Sequence, residues 1–376
     1  MESYRYVTRP GDVQQAVEAA RRETLVAVDT EAASFHRYVD RIYLIQISNP
    51  RATTLIDPLA VHDLSPLAGL LADPQVEKVF HDADYDLRIL DRDYGFRARR
   101  VFDTRVAAQL VGEPAIGLAA LLEKYRGVKL SKSHQKADWS RRPLPPAMLA
   151  YAAADTHHLL DLRAALAARL AVLGRSAWAQ EEFDHLETLR WTATPKAEDG
   201  YLRVKGAKAL RPRQLAALRE LYRWREDAAA RDDKAPFRII GNEALLAVAR
   251  DLPAAPEAFS RIPPADLPAV LARRHGPALV DAVRRALALP ADALPTLERA
   301  ARPVRDPEHD ARVERLKAAR NRVAAELGLD PGVLCGRSTL QAVARARPTD
   351  RAALARVEEL RRWQVEVLGS ALLEAF

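Results

Sequence analysis

The sequence of 376 residues contains a single cysteine, Cys335, and therefore has neither a disulfide framework nor a cysteine-based zinc site. It also lacks an uncharged apolar run of the roughly 18 residues that a membrane-spanning helix needs. Residues 1–5 do not show the basic and then apolar layout of a secretory signal. These absences predict a soluble, cytoplasmic protein with no membrane partner.

Apolar residues make up 48% of the chain, which is enough for packed cores and excludes a disordered protein. The length predicts two or three domains. The net charge of +7 is uneven, because residues 1–190 hold 25 basic and 26 acidic residues whereas residues 191–290 hold 18 and 12. The basic surplus suggests an anionic partner for the second half, although a solvated linker and helix face explains it equally well.

The first half alternates β-rich runs with helical patterns. Strands are predicted at 24–30, 43–48, 53–57, 78–80 and 101–102. Helices are predicted at 84–94, 105–110 and 117–125, and as one long helix at 144–173. With a hairpin break at 49–52, this order predicts an α/β domain built on a mixed sheet.

After residue 190 the strand patterns stop, and short helices alternate with proline-rich breaks. We predict an α/β domain at 1–190, a linker at 191–206, a helical domain at 207–289, a linker at 290–307 and a second helical domain at 308–376. The two helical domains look like duplicated modules.

Two carboxylates, Asp29 and Glu31, stand at the end of the first apolar strand. Residues two apart on a strand share a face, so both side chains can bind one cation. A carboxylate that follows a buried run is costly unless it is paired or bound to metal. A metal site and an ordinary strand-end cap both remain possible for this pair.

Two later segments add acids. Asp86 lies at a strand-to-helix junction, where helix capping explains the neighbouring Asp82 and Asp84 better than it explains Asp86. Tyr151 and Asp155 are four residues apart, so a helix places them on one face, although a core tyrosine would show the same spacing. The order of the three segments is far more specific than any one of them.

This order resembles the tyrosine-bearing subgroup of the DEDD exonucleases, which have a ribonuclease H-like fold. Residues 44–47, 130–133 and 138–144 are further similar to the ribonuclease D family. The two helical domains resemble HRDC domains in residues 213–246 and 327–363. The resemblance implies an exonuclease domain followed by two small all-α HRDC domains.

The resemblance also implies a reaction and its residues. Four acids would bind two divalent ions, Mg²⁺ or Mn²⁺, namely Asp29, Glu31, Asp86 and Asp155. Carboxylate oxygens suit these metals. Tyr151 would orient or help to deprotonate the attacking water, and His81 is the alternative base. We therefore expect two-metal hydrolysis of a phosphodiester.

Basic residues predicted to contact nucleic acid fall into two groups. The first lies in the loop before the last α/β helices, at Lys132, Arg141 and Arg142. The second is a run without acids, at Arg203, Lys205, Lys208, Arg211 and Arg213. Cations hold a phosphate backbone without reading its sequence, whereas a solvated loop is the alternative. Phe35, Tyr38 and Trp139 are candidates for base stacking.

The favoured function is a metal-dependent 3′-to-5′ exoribonuclease that trims structured RNA, such as tRNA precursors, and releases nucleoside 5′-monophosphates. A Werner-type DNA exonuclease and a non-catalytic nucleic-acid-binding adaptor are the alternatives. The sequence has no Gly-Lys-Ser or Gly-Lys-Thr phosphate loop, which excludes a helicase and a nucleoside triphosphate partner.

Overall fold

The computed structural model describes residues 4–131, 133–192, 199–296 and 306–376. The described residues form two compact units. The first unit comprises residues 4–32, 42–191 and 306–376, and the second comprises 33–41, 192 and 199–296. Among the described residues, no helix combines the length and the hydropathy that a membrane crossing requires.

A mixed sheet lies at the centre of the first unit, with the strand order β1-β4-β3-β2-β5-β6. Its strands are β1 (Tyr4–Val7), β2 (Leu25–Ala32), β3 (Ile42–Ser48), β4 (Thr53–Ile56), β5 (Glu77–Phe80) and β6 (Val101–Asp103). β2, β3 and β4 pair antiparallel, whereas β1–β4, β2–β5 and β5–β6 pair parallel. The predicted mixed sheet is confirmed.

Helices cover both faces of this sheet. They are α1 (Pro10–Arg21), α2 (Ser65–Ala72), α3 (Asp84–Tyr94), α4 (Thr104–Val111), α5 (Leu118–Arg126), α6 (Pro146–His157), α7 (Leu159–Val172) and α8 (Ser176–Glu187). Alternation along β2 divides the core, because Val26 and Val28 pack on the face of α1, α2 and α3, while Ala27 packs on the face of α7. β1, α1, α2 and α8 are elements that the sequence patterns did not predict.

The single helix predicted at 144–173 is wrong, because the chain breaks at His158, whose backbone angles are φ −97° and ψ 0°. The two halves have different packing partners. α6 packs mainly on β2, β3 and β4, whereas α7 packs mainly on α4 and α5. No glycine or proline marks the break, so local sequence carries no signal for it.

The first helical module, defined here as residues 199–296, contains α9 (Pro212–Arg231), α10 (Pro236–Ile239), α11 (Asn242–Asp251) and α12 (Ala269–Ala288). The linker predicted at 191–206 is wrong in its second half. Tyr201 and Val204 are buried in the core of this module. A Cβ atom on Gly200 would lie 2.6 Å from the Tyr222 hydroxyl, so only glycine allows this close approach.

Residues 33–41 pack with the first helical module rather than with the sheet. This segment joins β2 to β3. Asp233 accepts hydrogen bonds from the Tyr38 backbone at 3.3 Å and from Arg37 at 3.4 Å. Arg238 donates to the Phe35 carbonyl at 2.6 Å. The α/β domain is predicted to include all of residues 1–190, but in the structure residues 33–41 belong to the second unit. Contacts with residues distant in sequence hold them there.

The second helical module, defined here as residues 306–376, contains α13 (Pro307–Leu327), α14 (Pro331–Leu334), α15 (Arg337–Ala346), α16 (Arg351–Leu354) and α17 (Arg362–Leu373). It repeats a pattern of the first, since α11 and α15 each have ten residues and each ends at a left-handed residue, Leu252 or Arg347. Residues 297–305 of the predicted linker at 290–307 lie outside the described residues.

The second helical module shares one apolar core with α4, α7 and α8 of the α/β domain. The rings of Trp178 and Trp363 stack at 5.0 Å. The Glu181 carboxylate accepts hydrogen bonds from the backbone of Arg362 and Trp363, at 2.7 and 3.0 Å, and so caps α17. The two parts therefore belong to one compact unit with a common core.

We expect Trp363→Ala to lower the free energy of unfolding of the first unit by about 3–5 kcal/mol, the range for truncating a buried tryptophan. Hydrogen exchange should then accelerate in α8 as well as in α17. Trp191→Ala, which truncates a tryptophan with 42% exposure, is the control. Faster exchange in α17 alone would show that the two parts do not unfold together.

Candidate active site

The carboxyl end of β2 brings Asp29 and Glu31 to one face of the sheet. In the antiparallel register Asp29 stands opposite Gln46 of β3, and Glu31 stands opposite Leu44. A register irregularity follows between Glu31 and Ala32, where the strand leaves the sheet. The alternation of the strand thus places both carboxylates on the side that α6 covers.

Helix α6 supplies Tyr151 and Asp155 from one face, as the four-residue spacing predicts. A hydrogen bond of 2.7 Å between the hydroxyls of Ser48 and Thr156 fixes this helix to β3. Because Thr156 follows Asp155 directly, the same contact sets the height of Asp155 above the sheet. Local sequence carries no signal for this pair of hydroxyls, since they are 108 residues apart.

The structure brings three of the predicted acids together. One carboxylate oxygen each from Asp29, Glu31 and Asp155 lie within 4.8 Å of one another. We call these three residues the acidic group.

Asp86 lies beside this group but is not a member of it. Its Oδ1 accepts a hydrogen bond of 2.5 Å from the Thr30 hydroxyl. Asp103 holds the start of α3 in place by accepting from the backbone of Asp82 and Ala83, at 3.2 and 2.6 Å. Asp103 also caps α4, because its side chain accepts from the backbone of Arg105 and Val106. The acidic strand-to-helix junction is therefore organised by an aspartate from the next strand.

Burial raises the pKa of every one of these carboxyls, and repulsion from neighbouring acids adds to the rise for Glu31, Asp86 and Asp155. The pKa of Asp29 rises to about 6, and that of Asp155 rises to about 8 through burial and the charge of Asp29. The pKa values of Glu31 and Asp86 also rise well above normal through burial and the neighbouring acids. No lysine or arginine within the described ranges contributes to relieving this charge.

Such a site fits a hard divalent cation. All of its donors are carboxylate oxygens, the ligands that Mg²⁺ and Mn²⁺ prefer, and no basic side chain among the described residues compensates their negative charge.

Tyr151 donates a hydrogen bond to Asp155, and burial together with the charge of Asp155 raises the pKa of its phenol further above normal. The phenol is therefore a donor at neutral pH. The ring packs against His134 at 5.6 Å and Trp139 at 6.2 Å. Trp139 is 1% exposed, so the base-stacking role predicted for it is wrong.

A cavity of about 330 Å³ opens on the acidic group. Asp29, Tyr151 and Asp155 line it, together with Gly117 and the first turn of α5. His81 also lies on its wall. Its Nδ1 shares a hydrogen bond of 2.9 Å with Thr104, and burial lowers the pKa of its imidazole to about 4.

The loop cations predicted to bind nucleic acid differ in their surroundings. Lys132 lies outside the described residues, and Arg141 is exposed. Arg142 forms a two-pronged ion pair with Asp57 at 2.6 and 2.7 Å and donates to the carbonyls of Tyr43 and Trp139. These bonds occupy its guanidinium, so the structure gives Arg142 a role inside the fold instead of a phosphate contact.

The cations of the basic run at 203–213 also differ in their surroundings. Arg213 donates to the carbonyl oxygens of Ala286, Leu287 and Leu289 at the end of α12, so its guanidinium is used within the module. The other four side chains are exposed: Arg203, Lys205, Lys208 and Arg211. A nucleic-acid contact stays a prediction for these four.

The sheet, the acidic group and the tyrosine define a DEDD-type 3′-to-5′ exonuclease domain. A family model described as a 3′-5′ exonuclease matches residues 4–171, and a model of the HRDC domain matches residues 214–283 and 309–376. The two helical modules are therefore HRDC domains.

Two similar proteins show which family of 3′-to-5′ exonucleases the chain belongs to. Ribonuclease D of Escherichia coli K12 is 33% identical over 78% of this chain and 77% of its own. Ribonuclease D of Pseudomonas paraeruginosa PA7 is 32% identical over 94% of this chain and 93% of its own. The chain belongs to the ribonuclease D family, and it is a 3′-to-5′ exoribonuclease that acts on RNA.

Solved structures agree. The crystal structure of Escherichia coli RNase D matches with a TM-score of 0.69 and 28% identity, covering 99% of this chain and 98% of its own. The catalytic core of RRP6 from Trypanosoma brucei matches with a TM-score of 0.69 and 29% identity over 77% of this chain and 81% of its own.

In the absence of metal, we expect Asp155→Asn to stabilise the protein by about 1–2 kcal/mol at pH 8, because it removes one of the repelling charges. A raised pKa means that repulsion grows as the pH rises from about 4 to 8, so the wild type should melt at a lower temperature at pH 8 than at pH 6. The difference in melting temperature between pH 6 and pH 8 should be smaller for Asp155→Asn than for the wild type.

Thermal melting of EDTA-treated protein, with and without Mg²⁺, measures this effect. Asp161→Asn on α7 is the matched control, because Asp161 is exposed and pairs with Arg126. Two results would contradict this expectation. Without metal, Asp155→Asn would melt at a lower temperature than the wild type, or Mg²⁺ would raise the melting temperature of Asp155→Asn as much as that of the wild type.

Proposed function

We propose that the protein trims the 3′ ends of structured RNA, such as tRNA precursors, and releases nucleoside 5′-monophosphates one at a time. The acidic group at the wall of the 330 Å³ cavity is the observation that carries this proposal. A cavity of this size suits a single small ligand, such as one terminal nucleotide. The solved relative from Escherichia coli is described as an exoribonuclease involved in structured RNA processing, which supports the substrate class.

We further propose that two divalent cations, Mg²⁺ or Mn²⁺, bind here, and that four residues hold them: Asp29, Glu31, Asp86 and Asp155. When bound, the cations supply Lewis-acid chemistry, which activates water and stabilises the leaving oxygen of the scissile phosphate. The side chains on three separate elements, β2, α3 and α6, hold the negative charge in a fixed arrangement before metal arrives.

The other residues of the cavity bind and orient. Tyr151 donates its hydroxyl hydrogen to Asp155 and so fixes the direction of that carboxylate, with its lone pairs open to the attacking water. The first turn of α5 lies on the same wall and has no side-chain cap at Gly117. Its free backbone N–H groups and helix dipole favour a phosphate at this position.

The activity is tested with 5′-labelled RNA that carries a structured body and a single-stranded 3′ end, beside DNA of the same sequence. With Mg²⁺ or Mn²⁺ we expect shortening from the 3′ end and release of 5′-monophosphates, and none in EDTA. Asp155→Asn should lower kcat by at least about 100-fold, the upper end of the loss for groups that support a metal site. The kcat of Tyr151→Phe should lie between that of Asp155→Asn and that of the wild type.

Asp161→Asn again serves as the matched control. Metal-independent cleavage, internal cuts or an undiminished Asp155→Asn variant would each overturn the proposed mechanism. Faster digestion of DNA than of RNA would indicate a DNA exonuclease instead.

We also propose that the four exposed cations of the basic run bind the phosphate backbone of the RNA. Replacing Arg203, Lys205 and Lys208 with serine should reduce the slope of log affinity against log salt by about one for each phosphate that is no longer neutralised. Hydrolysis of a short oligonucleotide should not change.

The matched control replaces three exposed arginines of the exonuclease domain, Arg9, Arg22 and Arg99, with serine. Salt slopes are measured by fluorescence anisotropy with a labelled tRNA precursor. An equal change in the slopes of the two triple variants would show that the run makes no specific contribution.

A further inference from the structure

Gln46 is a fully buried polar side chain without partners. It is 0% exposed, and neither its Nε2 nor its Oε1 has a hydrogen-bond partner among the described residues. A carboxamide offers two donors and one acceptor oxygen, and burying them unbonded is unfavourable. Buried polar groups in folded proteins are nearly always satisfied, so this one needs a reason.

The neighbouring polar groups on the same face are satisfied. Ser48, which shares the face of Gln46 on β3, bonds to Thr53 at 2.8 Å and to Thr156 at 2.7 Å. The hydroxyl of Ser48 is therefore fully used in hydrogen bonds, one of which joins α6 to the sheet. Gln46 is the exception, and it stands two residues from Ser48.

The position of Gln46 points to its partner. It lies directly opposite Asp29 in the β2–β3 register, and opposed residues of antiparallel strands project to one face with Cβ atoms about 4.5–5.5 Å apart. The residues opposite Glu31 and Ala27 are Leu44 and Ser48. Gln46 is therefore the amide that the sheet places beside Asp29.

We propose that Gln46 is a positioning residue of the metal site: when a divalent cation is bound, its carboxamide N–H turns to donate to the Asp29 carboxylate and selects the oxygen that faces the cation. This inference rests on the proposed metal binding by the acidic group. Gln46 does not touch substrate, because it is fully buried.

The residue type suits this task. A neutral amide can hold a carboxylate without neutralising it, whereas a lysine or arginine at this position would compete with the cation. An apolar side chain would leave the outer oxygen of Asp29 unbonded and free to rotate. Groups that hydrogen-bond a metal ligand typically change metal affinity by 10- to 100-fold when they are removed.

The test is Gln46→Met, which keeps the length and nearly the volume of the side chain and removes its polar atoms. We expect the Mn²⁺ dissociation constant, measured by calorimetry on the full-length protein, to rise about ten-fold. The metal-free variant should melt at or above the wild-type temperature, because it buries no unbonded amide. Gln75→Met, at an exposed glutamine, is the matched control.

The outcomes separate this inference from the proposed function. If the wild type fails to bind Mn²⁺, the metal site itself is refuted. If the wild type binds and Gln46→Met binds equally well, only the role of Gln46 is refuted. If Gln46→Met and Gln46→Leu both melt far below the wild type, Gln46 stabilises the fold by itself and the inference is also refuted.

Discussion

Repulsion between carboxylates that the fold buries together is the interaction on which the rest of the site depends. Asp29 and Glu31 sit at the end of a buried strand, and Asp155 is held against them from α6. Burial raises the pKa values of all three carboxyls, and repulsion adds to the rise for Glu31 and Asp155. A fold that holds this arrangement without a cation sacrifices stability, and a divalent cation offsets that loss by binding.

The scaffold resists this repulsion through hydrogen bonds and an ion pair that join distant parts of the chain. The hydroxyls of Ser48 and Thr156 join β3 to α6, and Thr30 holds Asp86. The ion pair of Arg142 with Asp57 fixes the loop that leads into α6. Each contact joins segments far apart in the chain. The carboxylates are therefore held in position by the whole α/β domain rather than by any local motif.

Sequence patterns predicted the parts whose cause is local. The helix at 84–94 has the bounds of α3, and the hairpin between β3 and β4 follows from its turn residues. The acidic residues could be found because carboxylates next to apolar runs are unusual. The break at His158, the role of Arg142 and the packing of residues 33–41 could not be predicted. All three depend on partners distant in sequence.

The helical modules show the same limit. Their repeated helices are visible in the sequence, but the two have different structural relations. The second shares an apolar core with α4, α7 and α8, through Trp363 and the capping carboxylate of Glu181. The first packs instead with residues 33–41, the segment that joins β2 to β3. Duplication of a module thus does not imply duplication of its role.

The central claim is that the buried acids form a site for two divalent cations. Anomalous diffraction from crystals soaked in Mn²⁺ with a nucleoside 5′-monophosphate tests it most directly. We expect two anomalous peaks, with Asp29, Glu31, Asp86 and Asp155 as their protein ligands. An absence of peaks there, or a single ion that leaves Asp86 and Glu31 uncoordinated, would contradict it.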